Sequence, residues 1–514
     1  MGMKILRLCL ILFIIGLGVA VACQAEKVSH TDIREPVLAG KFYPASAPKL
    51  KLAIEKFMED AVPATVEKPV AIVVPHAGYV FSGQICADGF TQARKEQYDV
   101  VVILGTNHTN PGFAKISVYP GGGFRTPLGT ALVDRDVVSS LMAEDPADCI
   151  LDTSLHEHEH SVEVIVPFVQ VIFPKAKIVP IIVGSPDLHM SSRFGQALAK
   201  VLKNKRALVI ASSDLSHYPN SKAAAHVDRG TLEAITTMNP AIFQSTIHSH
   251  MDRRIPQLST RACGEAPIIA GMAAAKALGA TRGVVVSYAN SGDIAFGEQS
   301  RVVGYGAVAF TAHEPGKDIS SSDQSAFVSV AGSLRSSDKK ALLAFARQTI
   351  SRIILTDTVP LARGFDPHLQ QPQGVFVTLK RKGELRGCIG RIVGDEPLCK
   401  LVGTMAIQAA LNDRRFPPLT ADELNEIDIE ISVLTPLKDV SGATDIVAGR
   451  DGIVLNKEGR SAVFLPQVAL EQGWHRQELL NNLCLKAGLT AGCWKKGAQL
   501  STFQATVFSE AEFK

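Results

Sequence analysis

The chain has 514 residues, of which 46% are hydrophobic and 20% are charged, and this is the composition of packed globular domains. Its length accommodates about two to four domains. Its formal net charge of +3 is nearly balanced, and no basic stripe stands out. Composition therefore argues against a nucleic-acid-binding protein, and we expect no nucleic-acid partner.

The first 23 residues differ in character from the rest of the chain. Lys4 and Arg7 precede the apolar run "LCLILFIIGLGVAVA", which is shorter than the ~20 residues of a membrane-spanning helix and typical of a secretory signal. The run ends directly before Cys23 and resembles a bacterial lipoprotein signal, although Ala20 stands where such signals usually carry leucine. We predict that residues 1–23 are a lipoprotein-type signal peptide. Cys23 would then be lipidated, and the exported protein would be anchored to a membrane on its periplasmic side. The alternatives are an ordinary signal peptide, an uncleaved anchor, or a misassigned start and a cytoplasmic protein.

Residues 28–312 alternate short apolar runs with longer mixed segments. Continuous Val/Ile runs are typical of buried strands in parallel sheets, and segments with helical spacing of apolar residues lie between them. The sequence therefore predicts an α/β domain with an open, mainly parallel sheet. The predicted strands are 71–75, 100–105, 177–184, 207–212 and 283–289, and the predicted helices include 192–204 and 267–279.

A polar, serine-containing stretch, "HEPGKDISSSDQS" (313–325), follows this domain. We predict a linker over residues 313–337 and a second, smaller α+β domain over residues 338–514. Of the 14 histidines, only His368 and His475 lie beyond residue 313, so histidine chemistry is expected in the first domain. In the second domain we predict helices at 337–355 and 401–413, a hairpin at 372–392 and a strand at 427–437.

Three predicted strands of the first domain deliver a histidine just past their carboxyl ends. These histidines are His76, His108 and His217, the last of them with Asp214 close by. Ligands of open α/β sheets bind outside this edge, so we predict that the side chains share one crevice. A single histidine here is usually a packing residue, but three on three strands favour a site. Neutral imidazole is the commonest protein metal ligand, and two histidines with one anionic residue can hold non-haem Fe(II).

The anionic ligand has three candidates, which are Asp214, Cys263 and Glu265. Cys263 precedes a predicted helix, whose dipole would lower the pKa of the thiol and favour the thiolate. A small buried cysteine without reactivity is the alternative. The cysteines beyond residue 23 are widely spaced and include no CxxC pair, so we expect neither a structural zinc site nor a disulfide framework.

Six stretches of the first domain match, in order, signature stretches of the Memo family. They are "REPVLAGKFYPA" (34–45), "VPHAGYVFSG" (74–83), "LGTNHT" (104–109), "EHSVEVIVPF" (159–168), "SSDLSHY" (212–218) and "CGEAPI" (263–268). The domain thus resembles the Memo family, whose fold is similar to that of LigB-type class III extradiol dioxygenases. In those enzymes two histidines and a glutamate hold Fe(II). The resemblance implies His76, His108 and Cys263 as metal ligands. Asp214 and His217 would lie beside the metal, with His217 as an acid–base group.

The "HEHEH" segment (156–160) carries part of the same resemblance. It implies that His160 lies beside the metal or in the substrate pocket, whereas His156 and His158 are expected to be solvated. A cysteine in place of the glutamate makes the site softer, which favours copper(I) or zinc beside iron and exposes a thiolate to oxidation. Redox chemistry at iron or copper, or metal binding alone, is therefore the alternative to catechol cleavage, and zinc is the less favoured metal.

The second domain resembles the AMMECR-type domain. The matching stretches are "LRGCIGRI" (385–392), "LNDRRFPPLTADEL" (411–424) and "IEISVLTPL" (429–437). Cys388 lies between Arg386 and Arg391, whose charges would favour a thiolate, and a buried cysteine in a tight strand is the alternative. Asp413 and the two arginines after it form either an anion site or a capped helix end.

Together the two domains resemble the components that accompany a radical S-adenosylmethionine enzyme in the AmmeMemoRadiSam system. The chain lacks the CxxxCxxC motif of such an enzyme, so the radical enzyme would be a separate partner. Three functions follow: a metal-dependent oxidoreductase acting on a small aromatic substrate, a non-catalytic metal- or ligand-binding module for the radical enzyme, or an RNA-modification factor. The signal segment and the balanced charge argue against the third function, and we favour the first.

Overall fold

The computed structural model describes residues 32–251, 255–312 and 334–513. The predicted signal segment 1–23 with Cys23, and residues 313–333 of the predicted linker, lie outside the described residues. Within the described ranges, no helix combines the length and the apolar character needed to cross a membrane.

The N-terminal domain alternates strands with helices. Its strands are β1 (Ile33–Arg34), β2 (Ala71–Val74), β3 (Val100–Thr106), β4 (Ile116–Val118), β5 (Gly123–Thr126), β6 (Gly129–Leu132), β7 (Cys149–Leu151), β8 (Lys177–Val183), β9 (Ala207–Ser212), β10 (Arg282–Asn290) and β11 (Gly304–Thr311). Its helices are α1 (Ala47–Glu59), α2 (Tyr79–Ala93), α3 (Arg135–Glu144), α4 (Ser154–Glu157), α5 (His160–Glu163), α6 (Val166–Ile172), α7 (Leu188–Leu202), α8 (Ser221–Thr236), α9 (Pro240–Met251) and α10 (Glu265–Ala277).

An eight-stranded sheet lies at the centre of this domain, in the order β10-β11-β2-β9-β3-β8-β4-β7. The four strands β2, β9, β3 and β8 are parallel neighbours and consist mainly of buried apolar residues, as expected for strands covered on both faces. Antiparallel pairs flank this parallel core, β11 and β10 on one side and β4 on the other. The predicted α/β class with an open, mainly parallel sheet is confirmed.

Strand β10 differs from its prediction as a buried strand. It forms an edge of the sheet, pairs antiparallel with β11 and is half-buried along most of its length. The Val-rich sequence of β10 did not indicate an edge position. The inner position is taken by β11, which follows β10 in the chain. Residues 304–311 ("GYGAVAFT") are rich in glycine and alanine, which lets β11 lie against the helices that cover it.

The C-terminal domain contains two four-stranded antiparallel sheets, in the orders β13-β12-β14-β19 and β15-β18-β16-β17. The strands are β12 (Val375–Arg381), β13 (Glu384–Arg391), β14 (Ile427–Leu434), β15 (Lys438–Asp439), β16 (Gly452–Lys457), β17 (Arg460–Phe464), β18 (Gln499–Phe503) and β19 (Ala505–Ser509). The helices are α11 (Ser336–Thr356), α12 (Leu398–Leu411), α13 (Pro466–Glu471) and α14 (Arg476–Lys486). The predicted smaller α+β domain is confirmed, with its hairpin at β12 and β13.

A disulfide joins Cys484 of α14 to Cys493. We expected no disulfide framework because the cysteines are widely spaced, and for this pair the expectation is wrong. The chain turns back after α14, so two cysteines that are 9 positions apart come into contact over the small core of the second sheet. The other described cysteines are unpaired: Cys86, Cys149, Cys263, Cys388 and Cys399.

The two domains contact each other through polar as well as apolar groups. Arg363 of the C-terminal domain forms two hydrogen bonds, of 2.7 and 3.2 Å, with the fully buried carboxylate of Asp88 in α2. Arg352 of α11, itself only 3% exposed, donates to Asp60 at 2.5 Å. Buried charges of this kind are costly unless they are paired, so the domain contact is a specific one.

Candidate metal centre

The carboxyl ends of three neighbouring parallel strands, β2, β9 and β3, deliver the side chains of the candidate site. His76 follows β2, His108 follows β3, and Asp214 and His217 follow β9. Because the three strands are adjacent and point the same way, the residues after them meet at one edge of the sheet. The structure thus brings together the residues that the sequence predicted to share a crevice.

His76 is almost completely buried and has one ring nitrogen occupied. Its Nδ1 lies 2.8 Å from the hydroxyl oxygen of Ser212, and that hydroxyl donates its own hydrogen to the carbonyl of Ser161. Ser212 must therefore accept from Nδ1–H of His76, which leaves Nε2 as a free lone pair. This nitrogen lies 3.2 Å from Sγ of Cys263. Burial, followed by the neighbouring imidazoles, lowers the pKa of His76 well below its usual range and keeps the ring neutral.

His108 is oriented in the same manner by Glu159. The carboxylate accepts from Nδ1 of His108 at 2.9 Å and from its backbone N–H at 2.7 Å. Burial opposes ionisation of Glu159, but the hydrogen bond and charge of His108 outweigh it and lower the pKa of this carboxyl to about 2. A carboxylate that accepts from Nδ1 fixes the tautomer and leaves Nε2 for a metal, as is usual for metal-bound histidine.

His160 is the third imidazole of the cluster. Its ring stacks on that of His108, with centroids 4.3 Å apart, and lies 5.3 Å from the ring of His76. One nitrogen from each of the three rings lies within 4.8 Å of the others. Burial, and then the neighbouring His108, lowers the pKa of His160 to about 4. His76 and His160 therefore present neutral imidazoles, which is the form that binds metal ions.

A second group of donors shares His76 and adds Asp214 and Cys263, again with all ligand atoms within 4.8 Å. Asp214 accepts from the backbone N–H of His76 at 2.9 Å, and burial raises the pKa of its carboxyl to about 6. Burial, and then the charge of Asp214, raises the pKa of the Cys263 thiol. The prediction of a thiol pKa lowered by the helix dipole is therefore wrong for the metal-free protein, because burial outweighs the dipole of α10.

His217 lies beside the imidazole cluster with an unsatisfied nitrogen. Its backbone forms isolated bridges with Val303 and Thr260, and its Nε2 is buried without a hydrogen-bond partner among the described residues. Burial, followed by the charges of His108 and His160, lowers its pKa to about 4. A buried lone pair without a partner next to three imidazoles fits a site that receives a metal or a ligand.

Glu265, the other candidate for the anionic ligand, is engaged elsewhere. Its Oε1 accepts from Gln244 at 3.0 Å and lies 3.2 Å from Nε2 of His248. It belongs to neither group of potential metal ligands in the described structure. Of the three remaining candidates for the third ligand, only His160 groups with both His76 and His108. Cys263 and Asp214 group with His76 but not with His108, so the predicted set of His76, His108 and Cys263 does not have all its ligand atoms within 4.8 Å in the described structure.

Comparisons with known proteins identify the families of both domains. The family model described as "Memo-like protein" matches residues 34–309, which is more than half of the chain. The chain belongs to the Memo family. The model described as AMMECR1 matches residues 343–508 of the C-terminal domain. We refer below to the Memo domain and the AMMECR1 domain.

Two curated relatives belong to the MEMO1 family and match about half of this chain. A MEMO1 family protein of Aquifex aeolicus is 37% identical over 277 residues, which are 53% of this chain and 97% of that protein. A MEMO1 family protein of Nitrosopumilus maritimus is 34% identical over 284 residues, covering 54% of this chain and 99% of the relative. Among solved structures, the uncharacterized protein PH0010 of Pyrococcus horikoshii is 36% identical over 33% of this chain and 89% of its own, with a TM-score of 0.32.

A pocket of about 550 Å³ opens beside the cluster of the Memo domain. Aromatic side chains dominate its apolar wall, and the ring of Phe42 meets that of His160 edge-on at 5.4 Å. Glu163 holds the segment that carries Phe42, because its carboxylate accepts from Arg34 and Tyr43 at 2.5 Å. Neither Arg34 nor Glu163 is marked as functional by its local sequence, because both act through contacts between distant segments. The wall of the pocket includes Phe42, Phe81, His160, Asp214, Phe296 and Arg301.

The histidines of the "HEHEH" segment have different environments. His158 is exposed, whereas His156 is 1% exposed and lies against the ring of Tyr119, with its Nε2 3.1 Å from the hydroxyl of Ser117. The prediction that His156 is solvated is therefore wrong. The short helix α4 turns this side chain inward, which the alternating sequence did not indicate.

Cys388 of the AMMECR1 domain is half-buried on β13, and the arginines around it are paired. Arg386 forms a bidentate pair with Glu423, with both distances 2.9 Å. Arg391 pairs with Asp395 and Glu396. The carboxylates therefore offset the charges that we expected to favour a Cys388 thiolate.

The segment after α12 contains Asp413 and Arg415, and it contacts Cys388 through the backbone. Asp413 accepts from the backbone N–H of Cys388 at 2.8 Å and forms an ion pair with Arg415. Arg415 also donates to the carbonyl of Cys388 at 3.0 Å. Since the carboxylate of Asp413 already occupies this guanidinium, the geometry favours a structural turn over an anion site.

Proposed function

We propose that the Memo domain is a metal-dependent oxidoreductase that acts on a small aromatic substrate, with iron or copper as the metal. The observation that carries the proposal is the set of free Nε2 lone pairs at the carboxyl ends of β2 and β3. Serine and carboxylate acceptors fix the tautomers of His76 and His108, and this is the usual preparation of imidazoles for a metal. The aromatic pocket beside them supports an aromatic substrate.

Cys263 is our choice for the third ligand. Its sulfur lies 3.2 Å from Nε2 of His76, within the distance of a hydrogen bond between the two groups. His160 is less suitable, because its ring stacks on that of His108 at an interplanar angle of 25°. The in-plane lone pairs of stacked rings run side by side, so they converge poorly on one ion. A mixed imidazole and thiolate site can hold copper, iron or zinc. We favour iron or copper because zinc has no redox chemistry.

The remaining groups of the site are suited to proton handling. An iron or copper ion would supply the redox chemistry that these side chains lack. His217 would accept a proton from a substrate hydroxyl at its unpaired Nε2, since its lowered pKa keeps it neutral at pH 7. Asp214 holds the backbone of His76, and His160 lies between the cluster and the pocket wall.

Elemental mass spectrometry tests the proposal on the chain from Gln24, purified anaerobically. We expect near-stoichiometric iron or copper, lost in His76→Ala and in Cys263→Ser. The exposed His158→Ala is the matched control and should retain the metal. Metal kept in Cys263→Ser but lost in His160→Ala would move the third ligand to His160. A wild-type chain without metal, even after reconstitution, would refute the proposal.

Oxygen consumption with catechols then separates an enzyme from a binding module. Turnover that depends on the bound metal supports the oxidoreductase. A metal-loaded chain without any turnover supports instead a non-catalytic metal- or ligand-binding module that serves a radical S-adenosylmethionine enzyme. Under either function we propose that the chain works with a radical S-adenosylmethionine enzyme in an AmmeMemoRadiSam system, and co-purification with such an enzyme tests that partner.

We further propose that the protein is exported and anchored through a lipid on Cys23. The disulfide between Cys484 and Cys493 supports this, because disulfides persist mainly in oxidising compartments. Mass spectrometry of the mature N-terminus tests the proposal. A diacylated Cys23 is the expected result, and a chain that starts at Met1 in the soluble fraction would contradict it.

A further inference from the structure

One loop of the Memo domain lines the pocket and also contacts the AMMECR1 domain. This segment, residues 291–303, joins β10 to β11, and we call it the pocket loop. Its residues Phe296, Gly297, Glu298 and Arg301 line the pocket. Lys400 of α12 donates from its Nζ to the carbonyl of Gly297 at 2.9 Å, across the domain boundary.

Lys400 is unusual for a lysine because it is 3% exposed. Fully buried lysines are rare and need partners. Its ammonium forms an ion pair with Glu396 at 2.8 Å, and Glu396 also pairs with Arg391 at 3.1 Å. The charge is therefore paired within the AMMECR1 domain, and the contact to Gly297 is an additional charge-assisted bond directed at the pocket loop.

Apolar contacts hold the same loop from the AMMECR1 side. Ile294 and Ala295 are buried in one cluster with Val359 and Ile407. Ile294 also forms an antiparallel bridge with Leu361. The loop thus packs against two separate segments of the second domain, α12 and the residues after α11.

The close approach of α12 depends on a glycine. A Cβ on Gly403 would lie 3.2 Å from Cβ of Ala295 in the loop and 2.9 Å from the ring of Phe345. A larger residue at this position would push the loop or the helix away. Lys400 and Gly403 therefore fix the position of the pocket loop by two independent contacts.

The opposite wall of the pocket has the same neighbour. Val80 and Phe81 open α2, shortly after His76 in the chain, and they line the pocket. Both belong to the apolar cluster that includes Val359 and Leu361 of the second domain. The AMMECR1 domain consequently supports both the pocket loop and the helix that begins beside His76.

We propose that the AMMECR1 domain is a structural part of the Memo-domain binding site, with Lys400 as a positioning residue for the pocket loop. This inference rests on the proposed function for the identity of the ligand, a small aromatic molecule. The affinity of the pocket for that ligand depends on the AMMECR1 domain, although all six residues of the candidate metal site belong to the Memo domain. These residues are His76, His108, His160, Asp214, His217 and Cys263.

The test compares Lys400→Met with Lys400→Arg in the full chain loaded with iron. Methionine keeps the apolar stem and removes the donor, and arginine keeps a cationic donor. Lys380→Met is the matched control, since Lys380 pairs with Glu430 on the surface of the same domain. The readouts are hydrogen exchange of the pocket loop, binding of 4-nitrocatechol by absorbance, and metal content.

In Lys400→Met we expect hydrogen exchange of the pocket loop to be about tenfold faster than in the wild type. The loop opens more often because it has lost the charge-assisted hydrogen bond from Lys400. The dissociation constant for 4-nitrocatechol should rise severalfold, while metal content stays at the wild-type level. Lys400→Arg should recover part of the affinity, and Lys380→Met should behave as wild type. A structural loss alone would lower metal content and exchange protection throughout the domain.

Unchanged loop exchange and unchanged affinity in Lys400→Met would overturn the inference. Should that variant fail to fold, Gly403→Ala displaces the same loop sterically, and an unaltered loop in Gly403→Ala overturns the inference equally. Should the wild type bind no 4-nitrocatechol, the proposed ligand class fails. The loop exchange then still decides whether Lys400 positions the pocket loop.

Discussion

Replacement of Glu159 by glutamine tests how the metal centre is organised. The carboxylate of Glu159 is 1% exposed and accepts four N–H groups. One oxygen accepts from Nδ1 of His108 at 2.9 Å and from the backbone N–H groups of His160 and Ser161 at 2.8 and 2.9 Å. The other accepts from the backbone N–H of His108 at 2.7 Å. Glutamine can reproduce the first oxygen, but its amide group then faces the N–H of His108.

The size of the effect follows from these contacts. A hydrogen bond to a charged group contributes a net ~1.5–3 kcal/mol, and a buried donor left unpaired costs ~1–3 kcal/mol. We therefore expect Glu159→Gln to lower the free energy of unfolding of the metal-free Memo domain by about 3 kcal/mol. Metal affinity should fall about 10- to 100-fold, because a neutral amide oxygen replaces the carboxylate that orients His108 through Nδ1 and increases its basicity as a ligand.

Two assays measure these effects separately. Both tryptophans, Trp474 and Trp494, lie in the AMMECR1 domain, so tryptophan fluorescence reports on that domain and far-UV circular dichroism is needed for the Memo domain. Competition with a chromophoric chelator gives the metal affinity. Glu157→Gln, at an exposed neighbouring position, is the control and should alter neither quantity. A Glu159→Gln chain that binds metal as tightly as the wild type would refute the role that we assign to the charge of Glu159.

Two further predictions concern buried charges. Burial raises the pKa of Asp228 to about 7 from 3.8, so the folded state retains a proton that the unfolded state loses. Relative to Asp228→Asn, the free energy of unfolding of the wild type should therefore fall by an amount on the order of 4 kcal/mol between pH 4 and 7. Urea titrations at several pH values measure this difference, and a difference that rises with pH would contradict the prediction. Arg363→Met should cost about 2 kcal/mol because it removes the cationic partner of the buried carboxylate of Asp88, which keeps only neutral N–H donors. Lys49→Met, at an exposed pair across the same boundary, should cost less than about 0.5 kcal/mol. Equal losses in the two variants, measured by urea unfolding, would argue against a specific domain contact.

The sequence was most informative where local composition determines the element. Continuous Val/Ile runs predicted β2, β3, β8 and β9, since only strands buried on both faces take such runs. It was least informative for β11 and α2. The glycines and alanines of β11 are explained by the helices packed on it, and α2 ("YVFSGQICADGFTQA") is buried on nearly every side, so it lacks the apolar stripe of a surface helix.

For the candidate site, too, the sequence predicted some features and not others. The positions of His76 and His108 followed from the rule for the carboxyl ends of parallel strands. The environment of each side chain did not, because it depends on residues distant in sequence. Cys263 has a raised thiol pKa because the site is buried beside Asp214, and His156 lies inside because α4 turns it inward. Neither the raised pKa of Cys263 nor the burial of His156 can be predicted from the neighbouring residues in the sequence.

The contact between the two domains joins parts of one polypeptide, and this alters its thermodynamics. Two surfaces on one chain meet at an effective concentration typically on the order of millimolar for a short connection. The bond from Lys400 to Gly297 and the small apolar cluster around Ile294 can therefore be individually weak and still be formed most of the time. Substitutions at this boundary would change the fraction of molecules with a closed pocket wall in a graded manner, so ligand affinity could be adjusted without any change to the metal ligands.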